Sequence, residues 1–204
     1  MNLDTPQLFA IAAALGWASG LRLYSVVFLT GMAGFLGWVD LPSGLKLLQS
    51  PVMLGASGLM LFVEFFADKI PGVDSLWDVI HTVVRIPAGA ALAASVFGAD
   101  HESWAMAAAL MGGTLAATSH IAKATTRAAI NTSPEPFSNI GMSLVGDAAV
   151  PAALWLSWEH PWVFGGVLVL ALLLMVTLIV VLGKFLRQIV RRVSGRFRAA
   201  QPSL

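Results

Sequence analysis

The chain has 204 residues, of which 57% are hydrophobic and only 11% charged, with a mean hydropathy of +0.80. A soluble domain carries about a quarter charged residues, so this composition excludes a water-soluble globule and predicts an integral membrane protein of one domain or two fused small halves. The absence of cysteine excludes disulfides, thiolate metal sites and cysteine nucleophiles.

Residues 7–39 are apolar except for Arg22. As one straight helix they would be about 50 Å long, too long for a hydrocarbon core of about 30 Å. A break is expected around Gly16–Gly20, giving a short segment over 7–17 and a full span from about 20 to 38. No Lys or Arg precedes this run, which reads against a signal peptide. Pro42 and Gly44 mark a linker, and Pro51 starts a second span that ends with Glu64, Asp68 and Lys69. A third span covers about 74–98, with Pro87 expected to kink it.

The fourth span runs from Trp104 to about Asn131. Its first half is rich in small residues, which permits close helix packing. NTSPEPFSN follows, where two prolines flank Glu135 and preclude a regular helix. The fifth span is about 138–158, with Asn139, Ser143 and Asp147 on one face and Pro151 as a second expected kink. The sixth, 161–183, has no charge and reads as a lipid-facing anchor.

The predicted fold class is therefore all-α: a polytopic membrane helical bundle of about six transmembrane helices, with broken or re-entrant segments. It forms a single transmembrane domain over 1–183 and a basic tail over 184–204. Two inverted three-helix repeats, 1–98 and 104–183, are a further expectation, because an odd number of spans reverses the second half. Lys184, Arg187, Arg191, Arg192, Arg196 and Arg198 place the tail in the cytoplasm by the positive-inside rule, and six spans would put the N-terminus there too. Following a span, such a tail reads as touching anionic lipid rather than nucleic acid.

Polar residues recur at helical spacing inside the third and fourth spans. Asp74, Asp78, His81 and Arg85 share one face, and His120, Lys123, Arg127 and Asn131 share another. Between Arg22 and Asp147 the spans carry five bases (Arg22, Lys69, Arg85, Lys123, Arg127) and five acids (Glu64, Asp68, Asp74, Asp78, Asp147). A charge at the bilayer centre costs about 2.5–3.5 kcal/mol on insertion scales, so ten of them must pair, meet water or lie near an interface. Asp68, Lys69 and Asp74 sit at helix ends and read as packing or interfacial residues. The set read as a substrate-binding cavity is Arg22, Asp78, His81, Arg85, His120, Lys123, Arg127, Asn131 and Asp147. Buried pairs stabilise less than apolar replacements do, which favours a functional reason for them. No metal spacing, Walker loop or hydrolase elbow is present, so neither a cofactor nor a catalytic residue is assigned.

The blocks GLRLYSVVFLTGMAG, FADKIPGVDSLWDVIHTVVRIPAGA and SHIAKATTRAAINTSPEPFSN resemble an uncharacterised bacterial membrane family, domain of unknown function 4126. The resemblance implies a small multispanning protein of the bacterial inner membrane and supplies no activity.

The leading functional expectation is a small transporter or channel with a charge-lined central cavity, favouring an anionic solute or lipid headgroup because the fourth span is wholly basic. The break at 16–20 and the loop at 131–139 are the segments expected to move or re-enter. The alternative is a non-transporting scaffold or assembly protein held by intramembrane ion pairs. An intramembrane enzyme acting on lipid, with His120 or His81 as base, is the third and weakest reading, for want of a nucleophile. A homodimer is an expected assembly, since six short spans enclose little volume.

Overall fold

The computed structural model describes residues 3–70, 72–98, 101–132 and 137–199, with side chains as far as Arg192. The loop around Glu135, Pro71 and the last residues of the tail lie outside the described residues. The described residues form six α-helices and one 3-10 helix, with no strand among them. The helices are α1 (Thr5–Phe35), α2 (Pro51–Ala67), α3 (Val73–Ser95), α4 (Glu102–Ile130), α5 (Phe137–Glu159) and α6 (Pro161–Ala199), with the 3-10 helix Ser43–Gln49 before α2.

Local chemistry sets the starts. Asp4 caps α1 by accepting the Gln7 N–H at 2.9 Å, and Pro6 occupies its first turn. Ser50 caps α2 through Met53 N–H, and Pro51 opens it. Gly72 precedes α3 at φ +87°, a conformation that favours glycine. Pro87 and Pro151 sit inside α3 and α5, each of which runs on past its proline as one helix.

Five helices are long and apolar enough to cross a membrane, and the 3-10 helix with α2, bent by 69°, makes a sixth candidate. The chain is thus a multi-span helical membrane protein. Of the described side chains of α6 only Phe164 is buried; one face lies half-covered on the bundle and the rest is open, as expected of a lipid-facing anchor.

α1 is the exception to straight crossing. Its helix is interrupted at Arg22, where φ is −150° and ψ 86°. Before the break, Phe9 stacks against Phe97 and Trp104 at the end of the bundle where α3 finishes and α4 begins. Gln7 Nε2 donates to the Trp158 carbonyl at 2.7 Å, where α5 finishes. Further in, Gly16 meets Gly112, the Trp17 carbonyl accepts from Ser119, and the Leu21 carbonyl accepts from Lys123. After the break the direction reverses. Tyr24 meets His81, Gly58 lies beside Phe28, and Trp38 and Val39 share a pocket with Trp155 and Trp158. Both ends of α1 therefore lie at the Trp158 end of the bundle, and Arg22 is the apex of a V. The arms, 5–21 and 23–35, are about 26 and 20 Å long at 1.5 Å per residue.

This geometry corrects two expectations. The break falls at Arg22 and not at Gly16–Gly20. Those glycines serve close packing: a Cβ at Gly16 would stand 2.5 Å from Gly112 Cα, and one at Gly20 would collide with Ser119 Oγ and the Ala116 carbonyl. Because α1 enters and leaves at one end while α2 to α6 cross, its N-terminal end and the far end of α6 lie at opposite ends of the bundle, not on the same side. α1 also differs in build from α4, which is continuous from Glu102 to Ile130.

Candidate functional site: a buried charge cluster at the apex of the broken helix

The first arm of α1 is rich in alanine and glycine, so neighbouring helices approach closely and α1 runs through the middle of the bundle. Its apex delivers Arg22 into a cluster of charges from α2, α3, α4 and α5. Non-helical backbone at membrane depth is tolerated only inside protein or beside water, and Arg22 is 1% exposed.

Asp68, at the C-cap of α2, is the hub. It pairs with Arg127 at 2.8 Å, Lys123 at 3.0 Å and Arg22 at 3.2 Å. Asp78 of α3 pairs with Arg85 at 2.7 Å, Lys123 at 3.3 Å and Arg127 at 3.4 Å. Arg85 reaches Glu64 of α2 at 2.7 Å. Arg22 also pairs with Asp147 of α5 at 3.0 Å and donates to Ser143 Oγ at 2.7 Å. Lys69 pairs with Asp147 at 3.3 Å, and this last pair sits at the rim, each side chain about a fifth to a quarter exposed.

The fully buried part holds four cations (Arg22, Arg85, Lys123, Arg127) and three anions (Glu64, Asp68, Asp78). The rim pair adds one of each, so one formal positive charge is left over. Among the described residues, Arg22 Nη1, Arg85 Nε and Arg127 Nε have no acceptor, and Glu64 Oε2 has no donor. Beside them is a cavity of ≈ 20 Å³ lined by Leu21, Arg22, Asp68, Lys123, Arg127, Met142, Ser143 and Gly146. That is room for about one water. Gly146 makes the fit, since a Cβ there would stand 3.3 Å from Arg22 Nε.

The sequence model of a family described as a domain of unknown function, DUF4126, matches residues 9–181. The chain belongs to this family. No curated protein and no solved structure matches it. The matched span of this DUF4126 chain contains every residue of the cluster.

Of the residues singled out by spacing, Arg22, Asp78, Arg85, Lys123, Arg127 and Asp147 meet in one network. His120 borders it, with Nδ1 3.4 Å from Arg85 Nη1 and Nε2 2.8 Å from Thr82 Oγ1. His81 lies to one side, stacked on Trp77 and 3.2 Å from the Tyr24 hydroxyl. Asn131 stands apart at the end of α4, where its amide donates to Asp74 and Ser75. Glu64 and Asp68 were not among the singled-out residues, yet both are fully buried and Asp68 is the most connected acid. Of the two readings given for Asp68, packing or interfacial exposure, its burial and its ion pairs across helices leave only the first. Ser143 belongs to the site as well, one turn before Asp147 on α5.

Proposed function

We propose that this protein is a small membrane transporter or channel for an anionic solute or lipid headgroup, and that the apex of α1 is its binding point. The single observation behind the reading is a broken helix whose apex sits in a buried cluster with one more cation than anion. An uncompensated buried charge is a poor way to hold helices together, because its desolvation cost is not repaid. Broken helices whose ends meet near the bilayer centre are a recurring way to build ion and substrate sites. Here the first arm ends with the Leu21 carbonyl facing Lys123, and the second begins beside the guanidinium of Arg22.

The cavity of ≈ 20 Å³ is too small for a solute, so this is a closed form. Opening requires α5 to move, since Met142, Ser143 and Gly146 form one wall and the Lys69–Asp147 pair spans the rim. α5 packs mainly on α1 and only lightly on α4 and α6. The anion would then take the place of Asp147 against Arg22. The basic end of α6 lies in the cytoplasm on this reading and touches anionic lipid, and the N-terminal end of α1 lies on the other side. No enzymatic step is assigned.

One observation favours the scaffold reading instead: every acid in the cluster is paired. Flux into liposomes separates the two. Purified protein would be reconstituted and tested with phosphate, sulfate, acetate and glutamate. Transport of one or more of these, abolished in Arg22→Gln and retained in Glu102→Gln, supports the proposal. A folded protein with no flux above empty liposomes for any of them refutes it in favour of the scaffold.

A further inference from the structure

A second cavity, of ≈ 290 Å³, lies at the opposite end of the bundle from the tail, between the second arm of α1 and α5. Its walls include Thr30, Trp38, Leu154, Trp155, Trp158 and Glu159. Three of the chain's seven tryptophans are thus gathered around one hollow. An aromatic belt at the membrane interface accounts for exposed tryptophans such as Trp38 and Trp155. It does not account for the rest of the chemistry.

Glu159 is the only charged side chain on the wall. α1 ends at Phe35 and α5 at Glu159, so the carbonyl ends of two helices add negative potential near this mouth, partly offset by the amino end of α6 at Pro161. Indole faces attract cations through their quadrupole. Two buried polar atoms in the wall also lack partners among the described residues, Thr30 Oγ1 and Trp158 Nε1. Thr30 is only 3% exposed, and its hydroxyl stands out. Those of Thr82, Thr114, Thr118, Thr126 and Thr177 each donate to the carbonyl four residues back.

We infer that this cavity binds an alkylammonium group that carries an oxygen acceptor a short chain away. The ammonium would lie against the indole faces and the Glu159 carboxylate. The ligand oxygen would accept from Trp158 Nε1–H and the Thr30 hydroxyl. Free amino alcohols and zwitterionic lipid headgroups share this chemistry. The site is independent of the charge cluster and does not rest on the transport proposal.

The test uses the full chain in nanodiscs of phosphatidylglycerol, whose headgroup has no ammonium, followed by tryptophan fluorescence. Choline chloride should give a saturable change that sodium chloride does not. Glu159→Gln should weaken it about tenfold, and Trp155→Ala should weaken it further. Both positions are exposed, so folding is retained. If phosphatidylcholine in the disc produces the change and choline competes poorly or not at all, the ligand is a lipid headgroup. If choline acts alone, it is a free solute. No saturable response to either choline or phosphatidylcholine overturns the inference, as does a response that Glu159→Gln and Trp155→Ala leave unchanged.

Discussion

Replacing Asp68 with asparagine keeps the shape of the hub and removes its charge. Asp68 pairs with Arg127, Lys123 and Arg22 at 2.8, 3.0 and 3.2 Å and is fully buried. Without its carboxylate the buried surplus rises from one positive charge to two. Breaking a buried pair by removing one partner costs about 3–5 kcal/mol, because the remaining charge is stranded. Each partner keeps one other carboxylate, Asp147 for Arg22 and Asp78 for Lys123 and Arg127, so Asp68→Asn should fall within that range, about two to four decades in the unfolding equilibrium. A second substitution, Lys123→Met, takes away one cation and returns the surplus to one. The double variant should recover about 1–3 kcal/mol relative to the sum of the single losses, the usual size of coupling between touching residues. The assay is equilibrium unfolding in mixed dodecylmaltoside and dodecyl sulfate micelles, followed by tryptophan fluorescence. Glu102→Gln, at an exposed position, serves as the control and should stay within about 0.5 kcal/mol of the parent. An Asp68→Asn variant within about 1 kcal/mol of the parent would refute the reasoning, as would strict additivity in the double variant.

Gly16→Val should destabilise by about 1–3 kcal/mol or more, since its Cβ would enter Gly112 and push α1 off α4; the same unfolding assay reads it. Glu64→Gln weakens the hold on Arg85, whose remaining carboxylate is Asp78 at 2.7 Å, and should cost about 3 kcal/mol, with no loss if the pair is dispensable. Lys69→Ala frees Asp147 at the rim and should raise the rate at which a thiol reagent reaches Ser143→Cys, measured by mass shift against time. An unchanged rate would mean that the rim pair is no barrier.

The helix faces of the site were legible in the sequence because a spacing of three and four residues puts side chains on one side of a helix. Asp78 and Arg85 are buried together for that reason, as are Lys123 and Arg127. Asp68 reads equally as a packing or an interfacial residue, because it follows an apolar helix and precedes Lys69 and a proline, the usual pattern of a helix end. Nothing local shows that Arg22, Lys123 and Arg127 converge on it. Glu64 lies four residues before Asp68, on the same face of the helix, but a single such pair in an otherwise apolar span is a weak signal. The fold of α1 was half legible. Its excess length required a break, but glycine is as good a sign of close packing as of bending, and Gly16 and Gly20 turn out to be packing glycines. The return of α1 to its starting end comes from long-range contacts that a run of apolar residues does not encode.

The most direct test of the central claim is thiol accessibility at the apex cavity, in a chain that has no cysteine of its own. Ser143→Cys lines that cavity and keeps the size of the side chain. It would be labelled with a membrane-impermeant reagent in intact cells and in inverted vesicles, with and without the anions tested for flux. The account predicts labelling from at least one side, slowed in a saturable way by a transported anion, with the protection lost in Lys123→Met. A folded Ser143→Cys protein that labels from neither side, or labels at the same rate with every anion present, would contradict it.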